Sequence, residues 1–218
     1  MTEETTPIQI QDRDHVLAAD DGIEWRYGKR PDYSKTDKTL RAQSELHHLP
    51  GSLEAIVQNL VRTFEMEATY KLNPRQWTSI EPHEFRMRTN NGPEYTAFEI
   101  AERGTYNLFL GESPYYSSKS ESFESSVSAF KEAFTTGFVW EVIEVYAGPP
   151  KVAFKWRHWG THHGNFKDHA PTDKLIEVFG ITIADVNAEL KLTYVEHFFD
   201  NSQFFEKLTA GSKCPMHG

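Results

Sequence analysis

Apolar residues in this chain fall into two spacings, first one that suits helices and then one that suits strands. Leu53, Ile56, Val57, Leu60, Val61 and Phe64 recur at intervals of three and four. That spacing places them on one helix face. Pro50 and Gly51 break structure before them, Ser52 is available as the N-cap, and Asn73-Pro74 ends the helix. The stretch Thr96-Ala97-Phe98-Glu99 has the form of a capping box, which predicts a second helix running to about Leu110. The serine-rich run SSKSESFESSVSAF reads as linker by composition. However, Phe123, Val127, Phe130 and Phe134 keep helical spacing, which predicts a third helix from near Ser122.

After Gly137 the aromatic and β-branched residues predict strands: FVWEVIEVYAG, VAFKWRHWG, KLIEVFGITIADV and LKLTYVEHFFD. Phe85–Thr89 is a further short strand candidate. Helices followed by a four-strand antiparallel meander give an α+β fold, a curved sheet wrapped around about three helices. Residues 1–50 show little periodicity and are expected to form an extended or wrapping arm anchored by Trp25, Tyr27 and Tyr33. Residues 51–205 form the domain, and residues 206–218 a flexible tail.

Composition narrows the function. With 38% hydrophobic and 13% aromatic residues, burial rests on large rings. A net charge of −9 lacks the basic face that nucleic-acid binding needs. No apolar run approaches the length of a membrane span, and the acidic N-terminus lacks a signal-peptide core, so a cytoplasmic protein is expected. The one cysteine, Cys214, excludes an internal disulfide framework.

The segment from Lys155 to Lys174 concentrates candidate chemistry, with His158, His162, His163 and His169 close in sequence. No cysteine lies nearby and no metal-binding helix motif is present, so no metal is assigned there. Strand alternation puts Val152, Phe154, Trp156 and His158 on one face and Ala153, Lys155, Arg157 and Trp159 on the other. His158 ends the apolar face. It is either a hydrogen-bonded core histidine or a general acid–base. Tyr106, Trp140, Tyr146, Trp156 and Tyr194 are either core rings or the lining of a cavity for a flat apolar ligand. In the tail, Cys214-Pro215 with His217 admits haem ligation as an alternative to an unstructured end.

Several motifs carry a family resemblance. VAFKWRHWGTHHGNFKDHAPT and VEHFFD resemble the strand–loop–strand segment and last strand of the SnoaL-like, or polyketide-cyclase-like, group of the nuclear transport factor 2-like superfamily. WRYGKRPDY, LPGSLEAIVQNLVRTFEMEATYKLNPRQW and FVWEVIEVYAGPPKVAFKWRHWG resemble the pathogen-related proteins of plants and fungi. The resemblance covers about Trp25 to Asp200 and implies a cone-shaped fold with a cavity. In the cyclase-like group an acidic residue near the last strand is thought to abstract a proton beside a carbonyl. By that resemblance Glu196, His197 and Asp200 join His158 as catalytic candidates, and Tyr106, Trp140, Phe154, Trp156 and Tyr194 are the pocket candidates. The expected function is binding of a small hydrophobic molecule, with a cofactor-independent isomerase, cyclase or lyase as the alternative and haem binding as a minor one. Dimerisation through the outer sheet face is also expected from the resemblance.

Overall fold

A computed structural model describes residues 13–19 and 22–212. Its centre is a curved, unclosed sheet of six strands in the order β2-β1-β6-β5-β4-β3. The meander is β3 (Val139–Ala147), β4 (Lys151–Thr161), β5 (Leu175–Val186) and β6 (Leu192–Phe199), antiparallel throughout. β1 (Arg86–Thr89) adds to β6 in parallel, and the two-residue β2 (Tyr95–Thr96) closes the far edge.

Alternation decides which side chains enter the core. In β4, Val152, Phe154 and Trp156 are buried; in β5, Ile176, Val178, Thr182, Ala184 and Val186 share the inward face. Gly180 is opposite Trp156, and a Cβ there would come within 2.2 Å of the indole, so the missing side chain is what lets the ring lie across β5. The indole N–H donates to Thr182 Oγ1 at 2.8 Å.

The longest helix, α3 (Leu53–Tyr70), buries the predicted face and starts at Ser52, whose side chain accepts from Ala55 N–H at 3.2 Å. The Thr96–Glu99 capping box forms as expected. The helix it starts does not reach Leu110 unbroken. It divides at Gly104, where φ is +93°, into α4 (Ala97–Arg103) and α5 (Thr105–Leu110). A Cβ at Gly104 would press on Phe123 at 3.3 Å, so this residue supplies both the turn and the close approach of α6 (Phe123–Ala133).

The N-terminal arm needs correction. It is not extended: it contains α1 (Arg13–Ala18) and α2 (Ser34–Gln43). Its anchors meet the end of α3, where Trp25 bridges Lys71 and the rings of Tyr27 and Tyr33 meet Tyr70 edge-on at 5.8 and 6.0 Å. The arm also crosses β3, and its side chains occupy that strand's free edge. The ring of His48 holds the carbonyl of Val142 at 2.7 Å, while α3 contributes Gln58 to the Val142 N–H at 3.0 Å and Glu54 to that of Val145 at 3.4 Å. A further helix, α7 (Asn201–Leu208), crosses the boundary expected at 205 and buries Phe204, Phe205 and Leu208. Among the described residues no helix is long and apolar enough to cross a membrane.

Candidate functional site

The arm, α3, α5, α6 and the start of β3 enclose a cavity of about 320 Å³. One side is ring-lined by Tyr106, Phe130, Phe134, Phe138 and Trp140. Tyr106 and Phe130 stack at 4.3 Å, as do Phe134 and Phe138 at 4.2 Å. The other side is polar, built from Arg13, Tyr33, Asp37, Arg62, Glu65 and Tyr70.

On α3, Arg62 and Glu65 are three apart and Thr69 four beyond, so they share a face beside the apolar stripe of Val57, Leu60 and Phe64. Asp37, from α2, ties this face to the arm. Its carboxylate accepts from Arg13 at 2.6 and 2.8 Å and from Arg62 at 2.5 Å. The Arg13 guanidinium also lies 3.7 Å over the Tyr33 ring. Asp37 thereby serves two guanidiniums with one carboxylate.

Glu65 differs from every other carboxylate here. No hydrogen bond among the described residues reaches it; it faces the cavity and feels Arg13 and Arg62 only through space. Burial raises its pKa, and the two arginines oppose that rise. The phenols of Tyr33, Tyr70 and Tyr106 are likewise pushed up, first by burial and then by the Glu65 charge, so they stay protonated donors. A carboxyl group whose pKa is raised by burial, set beside phenolic donors, can move a proton to or from a bound carbonyl compound.

The candidates read from sequence are spread around this site. Tyr106 and Trp140 are in the wall. Phe154 and Trp156 are core residues, each 2% exposed, and are not in the wall. Tyr194 lies on the opposite sheet face, where its hydroxyl donates to Glu196 at 3.2 Å. Glu196 shares that outer face. It accepts from Arg88 at 2.8 Å, and this bond holds its pKa down, so it is ion-paired away from the cavity. Asp200 is exposed and caps α7, accepting from Gln203 N–H at 3.1 Å.

The histidines are structural in their surroundings. His158 stacks on Phe138 at 3.6 Å, and its Nδ1 bonds the Val139 carbonyl at 2.9 Å; burial lowers its pKa to about 3. His197 does face inward. It joins the Trp156–Thr182 thread through Thr182 Oγ1 at 2.7 Å, and burial lowers it to about 4. His162 is buried with Nδ1 3.3 Å from the Thr172 hydroxyl, while His163 and His169 lie beside Asp173 and Asp168. Among the described residues no group of three His, Cys, Asp or Glu side chains could hold a metal ion. Cys214 lies outside the described residues.

Sequence reasoning missed Arg13, Tyr33, Asp37, Arg62, Glu65 and Tyr70. The available signal was the text FEMEATY, where carboxylates enter α3 just as its apolar stripe continues.

Similar solved structures include a proposed SnoaL-like polyketide cyclase from Jannaschia sp. CCS1. It is 14% identical with a TM-score of 0.43, and the match covers 77% of this chain and 99% of that one. A protein with a ketosteroid isomerase-like fold from Catenulispora acidiphila is 11% identical with a TM-score of 0.41, over 70% of this chain and 93% of that one. No family model matches the sequence. A pathogen-related protein of Hordeum vulgare is 35% identical over 206 residues, which is 88% of each chain. With that identity sustained over nearly the whole length, the chain belongs to the pathogen-related protein family.

Proposed function

We propose that this chain binds a small, ring-bearing molecule in the cavity between the arm and α3. The observation that carries the reading is Glu65, a carboxyl with no hydrogen-bond partner among the described residues, set in the wall of a ring-lined cavity. A partly open hollow with rings on one side and convergent polar groups on the other can hold a small molecule and orient it. Native mass spectrometry of the purified protein tests it. A bound small molecule is expected in the wild type and absent from Tyr106→Trp, whose larger ring fills the space. A wild-type spectrum with no adduct, together with no binding from a library of ring compounds, overturns it.

A second reading is favoured by the same carboxyl's raised pKa. Glu65 moves a proton on a bound carbonyl compound while Tyr106 donates to its oxygen, an isomerase, cyclase or lyase step without a cofactor. This reading shifts the acid–base role from the last strand to α3. Proton–deuterium exchange at the carbon beside the carbonyl, followed by NMR in D2O, reports that step. Glu65→Gln is expected to slow the exchange by about 10²–10⁴-fold while ligand stays bound. Unchanged exchange removes Glu65 from the chemistry.

A further inference from the structure

The polar wall of the cavity has a charge imbalance that a neutral guest would leave uncorrected. Its cations are Arg13, Lys35, Arg62 and Lys131, and its acids are Asp32, Asp37 and Glu65. Asp32 accepts from the backbone N–H of Ser34 at the start of α2. Asp37 is divided between Arg13 and Arg62. Lys131 rests 5.0 Å from the centre of the Tyr70 ring. Arg13 is only 4% exposed, and its Nε–H has no partner among the described residues. Two guanidiniums that share one carboxylate keep part of their charge uncompensated, and an anion arriving in the cavity would offset it.

We infer that the natural guest carries a carboxylate, seated against Arg13 and Arg62 with its ring on the Phe134–Phe138 side, and that Glu65 takes up a proton as it enters. This rests on the cavity being a small-molecule site, as proposed above. A planar carboxylate matches the forked donors of arginine, whereas the single excess charge left by Asp37 suits a monoanion better than a phosphate dianion. The whole chain carries −9, so a cavity of the opposite sign is set against its background.

The proton uptake follows from what surrounds Glu65. It shares the cavity lining with Arg13 from α1, Tyr33 ahead of α2, and Lys35 and Asp37 on α2. Arg62 and Tyr70 join from α3, Tyr106 from α5 and Lys131 from α6, and of these charges Arg13 and Arg62 act on it. With only arginine charges holding Glu65 ionised, an incoming anion cancels their effect and leaves the buried carboxyl to bind a proton. Binding should therefore strengthen as pH falls, down to the point where the ligand itself is neutralised.

Calorimetry with 2-naphthoate and its neutral isostere 2-naphthamide tests this. Naphthoate is expected to bind about 30-fold or more tightly. Arg62→Gln should equalise the two, and Arg62→Lys, which keeps the charge, should restore part of the preference. Titrations in phosphate and Tris should show uptake of about one proton on naphthoate binding by the wild type and none by Glu65→Gln. Equal affinity for the two compounds, or a preference for the amide, overturns the carboxylate assignment and leaves the cavity reading standing. A naphthoate preference without proton uptake overturns the role of Glu65. Failure of both compounds to bind, with no adduct in the mass spectrum, removes both proposals.

Discussion

His158, His197 and Glu65 each carry a pH dependence, and the signs differ. The Val139 carbonyl can only accept, so His158 keeps its proton on Nδ1. Thr182 Oγ1 accepts from the Trp156 indole and also bonds His197 Nδ1 at 2.7 Å. Burial holds both imidazoles neutral, lowering their pKa values from 6.5 to about 3 and about 4, against the small opposing pull of the Val139 carbonyl on His158 and of the Glu196 charge on His197. A depressed folded-state pKa gives stability that is present above 6.5 and lost as pH falls toward those values. Melting temperature should drop steeply from pH 6.5 to 4. His197→Asn, which can still bond Thr182 but does not titrate, should flatten that drop. An unchanged slope would show that His197 is already protonated in the fold. Glu65 behaves oppositely. Its raised pKa gives a relative stability present at low pH and lost as pH rises through the folded-state value. Glu65→Gln should accordingly raise the melting temperature at pH 7 to 8, and the gain should vanish in acid. A lower melting temperature at neutral pH would mean that the ionised carboxylate is needed for stability.

At the scale of one element, α3 carries two kinds of information, and the sequence reveals one of them. Its apolar stripe is periodic over three turns, so the helix and its buried face were legible. The same stripe continues through Glu67 and Lys71, which look like solvent-facing charges but are 0% and 1% exposed. Lys71 Nζ donates to Glu67 at 2.7 Å and to the Gln76 carbonyl at 2.9 Å. Thr78 and Ser79 donate backbone N–H and hydroxyl groups to the Glu67 oxygens at 2.6 to 3.0 Å. Such a pair stands or falls together. Lys71→Met should cost about 3–5 kcal/mol in urea unfolding, because it strands a buried carboxylate. Adding Glu67→Gln should recover part of that loss, and a double variant worse than the single one would argue against charge stranding. The unread parts have a common cause. α2 has one aliphatic-core residue type, Leu40, in ten positions and buries nothing fully; Asp37 and the Thr39 bond to the Thr136 carbonyl hold it in place. The site around Glu65 draws on positions 13 to 140, and no local spacing announces residues that meet only after folding. The last-strand carboxylates were legible as a position on β6 but not as a direction, because a single step along the strand separates inward His197 from outward Glu196.

Across the whole molecule, the two sheet faces end up with different tasks. The inner face packs on helices. On the outer face of β5, Phe179 and Ile181 are 49% and 44% exposed, with Phe198 of β6 beside Ile181. We propose that two copies meet through this face. Light scattering should show a dimer in the wild type and a monomer in Phe179→Glu/Ile181→Glu; a monomeric wild type removes the proposal. The third surface of the sheet is its β3 margin, where His48, Gln58 and Glu54 occupy the outward backbone groups of Val142 and Val145. A foreign extended segment arriving at that margin would have to evict a side chain for each ladder bond it gained at these three groups. At those two residues the strand is thus a poor template for fibre growth.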